Sequence, residues 1–148
     1  MPTPIAAIQR LPSRWSTAVA GLIPGDQLRR PVDQMWSIAE YTDHVREVLF
    51  GMRFLLDTAV SQPGADLGDS PPSQFDSQPR QIDVEAALDG IDHEARSLSL
   101  QLSELSSDDW YLTVTFDGTT VDPQWIARHA VHDATHHLLD IVRLRSAL

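Results

Sequence analysis

The chain has 148 residues, 42% of them hydrophobic, enough for one domain with its own core and short for two, so residues 1–148 are read as a single domain. Eleven basic against 21 acidic side chains give a formal charge of −10, a field that repels phosphate backbones and anionic headgroups and so excludes nucleic acid and membrane surfaces as expected partners. Cysteine is absent, so any metal must be held by His, Asp or Glu.

The amino-terminal stretch "MPTPIAAIQRLPSRW" lacks the basic start and long apolar core of a signal peptide. No window approaches the roughly eighteen apolar residues of a membrane span, and a cytoplasmic protein is expected. Periodicity predicts a first helix over about Ile5 to Leu22, interrupted in composition by Pro12 but resumed by Trp15, Val19 and Leu22, and stopping at "IPGD". The second helix starts at Ser37, whose side chain with Glu40 three residues on forms a capping box. It carries Ile38, Tyr41, Val45, Val48, Met52, Leu55 and Ala59 on one stripe.

Residues 61–80, "SQPGADLGDSPPSQFDSQPR", contain four prolines and two glycines and read as a long surface loop of the sort that is often functional. A third helix begins near Asp83, with Val84, Ala87, Leu88, Ile91, Ala95, Leu98 and Leu102 on its core face. In "WYLTVTFDGTTVD" the alternation of Leu112, Val114 and Phe116 leads into Asp117-Gly118, which suits a type I′ turn and predicts a short hairpin. Asp122 then caps a last helix with Pro123 at its first position, running to about Arg145.

That last helix holds "ARHAVHDATHHLLDI", with four of the six histidines of the chain. Helical ligands converge on one ion when they lie three or four apart, and two pairs qualify: His132 with His136, and Asp133 with His137. On a wheel of about 100° per residue, the apolar residues from Ile126 to Val142 fill an arc from roughly 260° through zero to 60°. Asp133 at roughly 240° and His137 at roughly 280° border or enter that arc. His132 and His136, at roughly 140° and 180°, face solvent, and His129 near 200° sits at the margin as an outer-shell candidate.

A third ligand must come from another helix, and the second helix offers His44 at the edge of its apolar stripe. His44, Asp133 and His137 with an open position make a ligand pattern for a divalent ion, zinc being favoured and nickel or iron chemically plausible. The plain alternative is that Asp133 and His137 are only a hydrogen-bonded pair at the edge of a core. His93 has no ligand-spaced partner and reads as surface.

At these residues the chain resembles the DinB/YfiT-like superfamily. The likeness lies in "WSIAEYTDHVREVL", with its tryptophan, helix start and histidine, and in "HDATHHLLDI", with a ligand, three residues, a histidine and an apolar residue four further on. It spans nearly the whole chain. The resemblance implies an all-α fold, an up-down-down-up four-helix bundle with a long connection between the second and third helices. It also implies a metal on His44, Asp133 and His137; from spacing and the wheel, His129, His132 and His136 remain outer-shell or alternative ligands. In the related bacillithiol transferases both last-helix ligands are histidines, whereas the mycothiol-dependent maleylpyruvate isomerases carry a carboxylate at the first, the position Asp133 takes here. Asp is shorter than the residues it replaces, and no segment corresponding to the extra domain of the isomerases follows the bundle, so maleylpyruvate isomerisation itself is not expected.

The resemblance further implies a low-molecular-weight thiol, mycothiol being one, bound as thiolate and directed at a small electrophile, a transferase or isomerase chemistry. The alternative is a non-catalytic module that holds a metal or small ligand in a stress response. Arg46, Arg53 and Arg80 are candidate anchors for an anionic ligand, with solvated arginine as the ordinary reading. Trp36, Trp110 and Trp125 are candidate pocket walls, with core packing as the ordinary fate. Leu139 lies outside the core arc, and a homodimer is expected from such surface.

Overall fold

The computed structural model describes residues 3–72 and 76–148; Met1, Pro2 and residues 73–75 of the expected surface loop lie outside the described residues. Helix α1 spans Pro4–Val19, with Thr3 as N-cap and Pro4 in the first turn, where a missing N–H costs nothing. It passes through Pro12 and buries Ile8, Leu11, Trp15 and Val19 at helical spacing. It stops three residues short of the expected Leu22, ahead of Gly21 at φ +80°, a conformation that favours glycine. A short helix not foreseen from the sequence, α2, follows over Pro24–Leu28.

Helix α3, Ile38–Ser61, opens with the expected capping box: the Glu40 N–H donates to Ser37 Oγ and the Ser37 N–H to Glu40 Oε1, both at 3.1 Å. Helix α4, Val84–Ser103, is capped by Asp83, and α5, Pro123–Ser146, by Asp122. Between them Val114–Phe116 (β1) and Thr119–Val121 (β2) form an antiparallel hairpin. Its turn residues Asp117 and Gly118 have φ of +49° and +73°, as a type I′ turn requires.

Helix α1 packs on α4 and α5, and α3 packs on the same two. Cross-contacts give the directions. The ion pair Arg53–Glu94 and the hydrogen bond from Gln101 to Asp57 advance together along α3 and α4, which therefore run parallel. A Cβ on Gly90 would lie 2.4 Å from Arg46 Cδ, so a glycine there lets Arg46 cross α4 in the same register. Arg145 near the end of α5 donates to the carbonyls of Ala18 and Ala20 at the end of α1, so α1 and α5 also run parallel. Two parallel pairs packed against each other are the up-down-down-up bundle. Ile8, Trp15, Ile38, Leu49, Leu98, Ile126 and Ile141 are fully buried in its core.

The connection from α3 to α4 is exposed but anchored. Its residues 64–68 exchange backbone hydrogen bonds with Thr113, Thr115 and Asp117 of the hairpin segment, and the Ser70 N–H and hydroxyl both donate to the Asp117 carboxylate. At its other end the Arg30 guanidinium donates to the carbonyls of Asp76 and Gln78. Among the described residues no helix is long and apolar enough to cross a membrane. On the outer face of α5, Leu139 and Val142 are exposed.

Candidate metal centre

The capping box fixes where α3 begins, and two turns later that helix presents His44 to α5. Asp133 and His137, one turn apart on α5, meet it there. His44 Nε2 lies 3.8 Å from Asp133 Oδ2, and His137 Nε2 lies 3.8 Å from Asp133 Oδ1. One donor atom from each of the three residues falls within 4.8 Å of the others. These separations are too long for hydrogen bonds. They approach the spacing of about 3.4 Å between ligands that each sit about 2.1 Å from a tetrahedral zinc, so the donor set fits a divalent ion with little adjustment.

The remaining polar contacts orient this set. His137 Nδ1 is 2.9 Å from Asp140 Oδ2; a proton on Nδ1 donated to that carboxylate leaves the Nε2 lone pair facing His44 and Asp133, the arrangement by which metal-bound histidines are held. Burial, the neighbouring His137 and Arg80 push the His44 pKa down, against the opposing pull of Asp133, and so favour the neutral imidazole that a metal needs. The His44 and His137 rings meet edge to face, centroids 4.8 Å apart. Trp36 lies 5.1 Å from His44, and Tyr41 5.1 Å from His137. Burial and the Asp140 charge raise the Tyr41 pKa, which keeps its hydroxyl protonated.

His44 also forms part of the wall of a cleft of ≈ 600 Å³ whose lining includes Trp36, Glu47, Val48, Ser70 and Arg80. A larger cavity of ≈ 830 Å³ lies between α1 and α4, lined by Glu85, Asp89 and Asp92 among others, and contains none of the clustered histidines.

The outer-shell candidates fare differently. The His129 ring stacks on Trp125, with centroids 4.5 Å apart and planes 7° apart, and is not brought to the cluster. His132 is exposed and lines a separate groove beside α1. His136 is exposed, its Nε2 3.9 Å from Asp140 Oδ2. The group His136, His137 and Asp140 is a second set with ligand-range spacing, but its short contact is the hydrogen bond that orients His137. His93 is exposed, as expected.

Asp140 was not foreseen, although a carboxylate three residues after a candidate ligand was a readable signal. Nor was the pairing of Arg30 with Glu40, since Arg30 lies outside the periodic segments. Of the candidate anchors, Arg46 pairs with Asp43 and Arg53 with Glu94, whereas Arg80 lines the cleft. Of the tryptophans, Trp36 stands at the cleft, while Trp110 and Trp125 pack against the core.

The family model of the DinB superfamily matches residues 7–141. Among solved structures the chain is similar to YfiT from Bacillus subtilis, described as a probable metal-dependent hydrolase with an unusual four-helix bundle topology. The TM-score is 0.80 at 11% identity, over 95% of this chain and 83% of that one. A search of curated proteins finds no match.

Proposed function

The chain belongs to the DinB superfamily, and from that premise we propose that His44, Asp133 and His137 hold one divalent ion, zinc before nickel or iron, at the centre of an enzyme acting on a small electrophile. The observation that supports this reading is the convergence of three donors with no hydrogen bond between them, while Asp140 stands behind His137 at 2.9 Å. A divalent ion in this set supplies Lewis acidity, lowering the pKa of a thiol or water by several units, which provides a nucleophile at neutral pH in a chain without cysteine.

The protein's own groups do the rest. Asp140 fixes the tautomer and ring plane of His137. Trp36 offers an apolar face beside His44 and limits access of water. The anchored α3–α4 connection closes one side of the cleft, where Arg80 and Ser70 face an incoming ligand. The nucleophile proposed is a low-molecular-weight thiol, mycothiol among the candidates, and the reaction an S-transfer or a thiol-dependent isomerisation. A second reading, hydrolysis by water, is favoured by the description of the YfiT structure.

The test is turnover of a model electrophile by zinc-loaded protein with and without a panel of thiols. Product that forms only with thiol supports the transferase reading, and product at equal rate without thiol supports hydrolysis. Tight metal binding with no turnover in either arm overturns both and leaves a non-catalytic binding module.

A further inference from the structure

We infer that Arg80 is the carboxylate-binding residue of the cleft beside His44, so that the ligand brought to this centre, whether thiol or electrophile, carries a carboxylate. This rests on the proposed reading of His44, Asp133 and His137 as the reactive centre and extends it to a class of compound.

The arginines near the centre differ in how their donors are used. Arg30 donates to both oxygens of Glu40, Arg46 to Asp43 and Arg53 to Glu94, each with a hydrogen bond of 2.7 or 2.8 Å. Arg80 approaches Glu40 only to 3.6 Å, Nε to Oε2, beyond hydrogen-bond reach. The Glu40 carboxylate is already taken by Arg30 and by the Ser37 N–H. Among the described residues no acceptor lies within hydrogen-bond distance of the Arg80 guanidinium, whose side chain is 38% exposed. It is therefore placed by a charge it does not satisfy, and its planar fork of donors remains free for the bidentate partner such a fork fits best, a carboxylate.

Location carries the argument further. Arg80 lines the same cleft as Trp36, His44 and Val48, so a carboxylate seated on it lies beside His44 of the ligand cluster. Trp36 and Val48 offer apolar surface for the body of a small molecule. Glu47, whose carboxylate lies 3.7 Å from Arg46, and Asp76 are also in the lining and repel an anion, and Arg80 is the arginine of the lining that can attract one. Without Arg80 the cleft should prefer a neutral ligand.

The test compares N-acetylalanine with N-acetylalaninamide, which differ only in the carboxylate, by following the Trp36 indole resonance of zinc-stripped wild-type protein. The carboxylate probe should bind about tenfold more tightly. Arg80→Gln should abolish or reverse that preference, and Arg80→Lys should keep part of it because a point charge remains. Arg80 is not one of the three ligands, so zinc affinity should stay within a few-fold of wild type in both variants. An absence of preference in wild type, or a preference that survives Arg80→Gln, overturns the inference. Repeating the comparison on zinc-loaded protein with N-acetylcysteine and its amide separates the sources. A larger carboxylate preference for the thiol pair than for the alanine pair assigns the carboxylate to the thiol, and an equal preference assigns it to the electrophile. If the wild type takes up no zinc, the metal centre fails while the carboxylate preference of the zinc-free protein is still measured.

Discussion

Two carboxylates at the α3 end of the molecule show opposite ways of surrounding a charge. Glu40 is fully buried. It accepts two hydrogen bonds from Arg30, at 2.8 and 2.7 Å, and one from the Ser37 backbone, so both of its oxygens are engaged and its charge is paired. Asp133, partly exposed, faces two histidine nitrogens at 3.8 Å and accepts no hydrogen bond from any described residue. A buried charge with every partner in place is a structural device, because its removal strands the partner. Acceptors gathered around a common point without protons between them suit a cation supplied from outside. Stability should therefore follow Glu40, and metal affinity should follow Asp133.

The largest effect is expected at the closed cluster. Glu40→Ala leaves the Arg30 guanidinium without its carboxylate and should cost about 3–5 kcal/mol, seen as a fall in Tm on the order of 10 °C. Loss of stability under 1 kcal/mol in urea unfolding would erase the contrast.

The same carboxylate should govern acid sensitivity. Burial by itself would raise the Glu40 pKa, but hydrogen bonds from Arg30 and Ser37 bring it from an ordinary 4.5 to about 2. A folded-state pKa below the unfolded one stabilises the fold above the unfolded value, and that contribution, of order 3 kcal/mol, is lost as pH falls from about 4.5 toward 2. Urea unfolding at a series of pH values should therefore show wild type and Glu40→Gln converging below pH of about 4.5. Parallel curves would mean that Arg30 does not hold the charge.

At the open cluster the order reverses. Asp133→Ala should change stability by under about 1 kcal/mol yet weaken zinc binding by more than about a hundredfold, since two protein ligands leave the ion largely to water. A chelator competition that finds Asp133→Ala near wild type would move the ligand set to other residues. The smallest effects belong to the surroundings. Asp140→Asn should weaken zinc binding by roughly ten- to a hundredfold through the orientation of His137, and His132→Ala, exposed and away from the cluster, should lie within a few-fold of wild type.

Much of this contrast is legible in the sequence. Periodicity places Asp133 and His137 on the inner edge of α5 and His132 and His136 outside it, because a helix converts spacing directly into direction. The same logic turned His44 toward α5, and the Ser37/Glu40 capping box fixed where α3 starts. Local rules fail where partners are distant in sequence. Glu40 reads as a cap, and its second role depends on Arg30, which lies in a non-periodic segment and reaches it only in the folded chain. The docking of residues 64–68 on the hairpin runs through backbone groups that every residue carries, so nothing in "GADLG" announces it. Helix α2 is five residues long, too short for any period to show. Asp140 is legible in hindsight, because a residue three positions after His137 shares its helix face and can reach the ring nitrogen that faces away from the cluster. His129 misled: its angle was right for the margin, but Trp125 one turn earlier captures its ring.

The most direct test of the account is the metal content of the untagged protein. Elemental analysis after gel filtration should find one divalent ion per chain in the wild type and almost none in His137→Ala, with both proteins folded by circular dichroism. Equal metal in the two proteins, or none in the wild type after exposure to zinc, would contradict the assignment of His44, Asp133 and His137 as the centre.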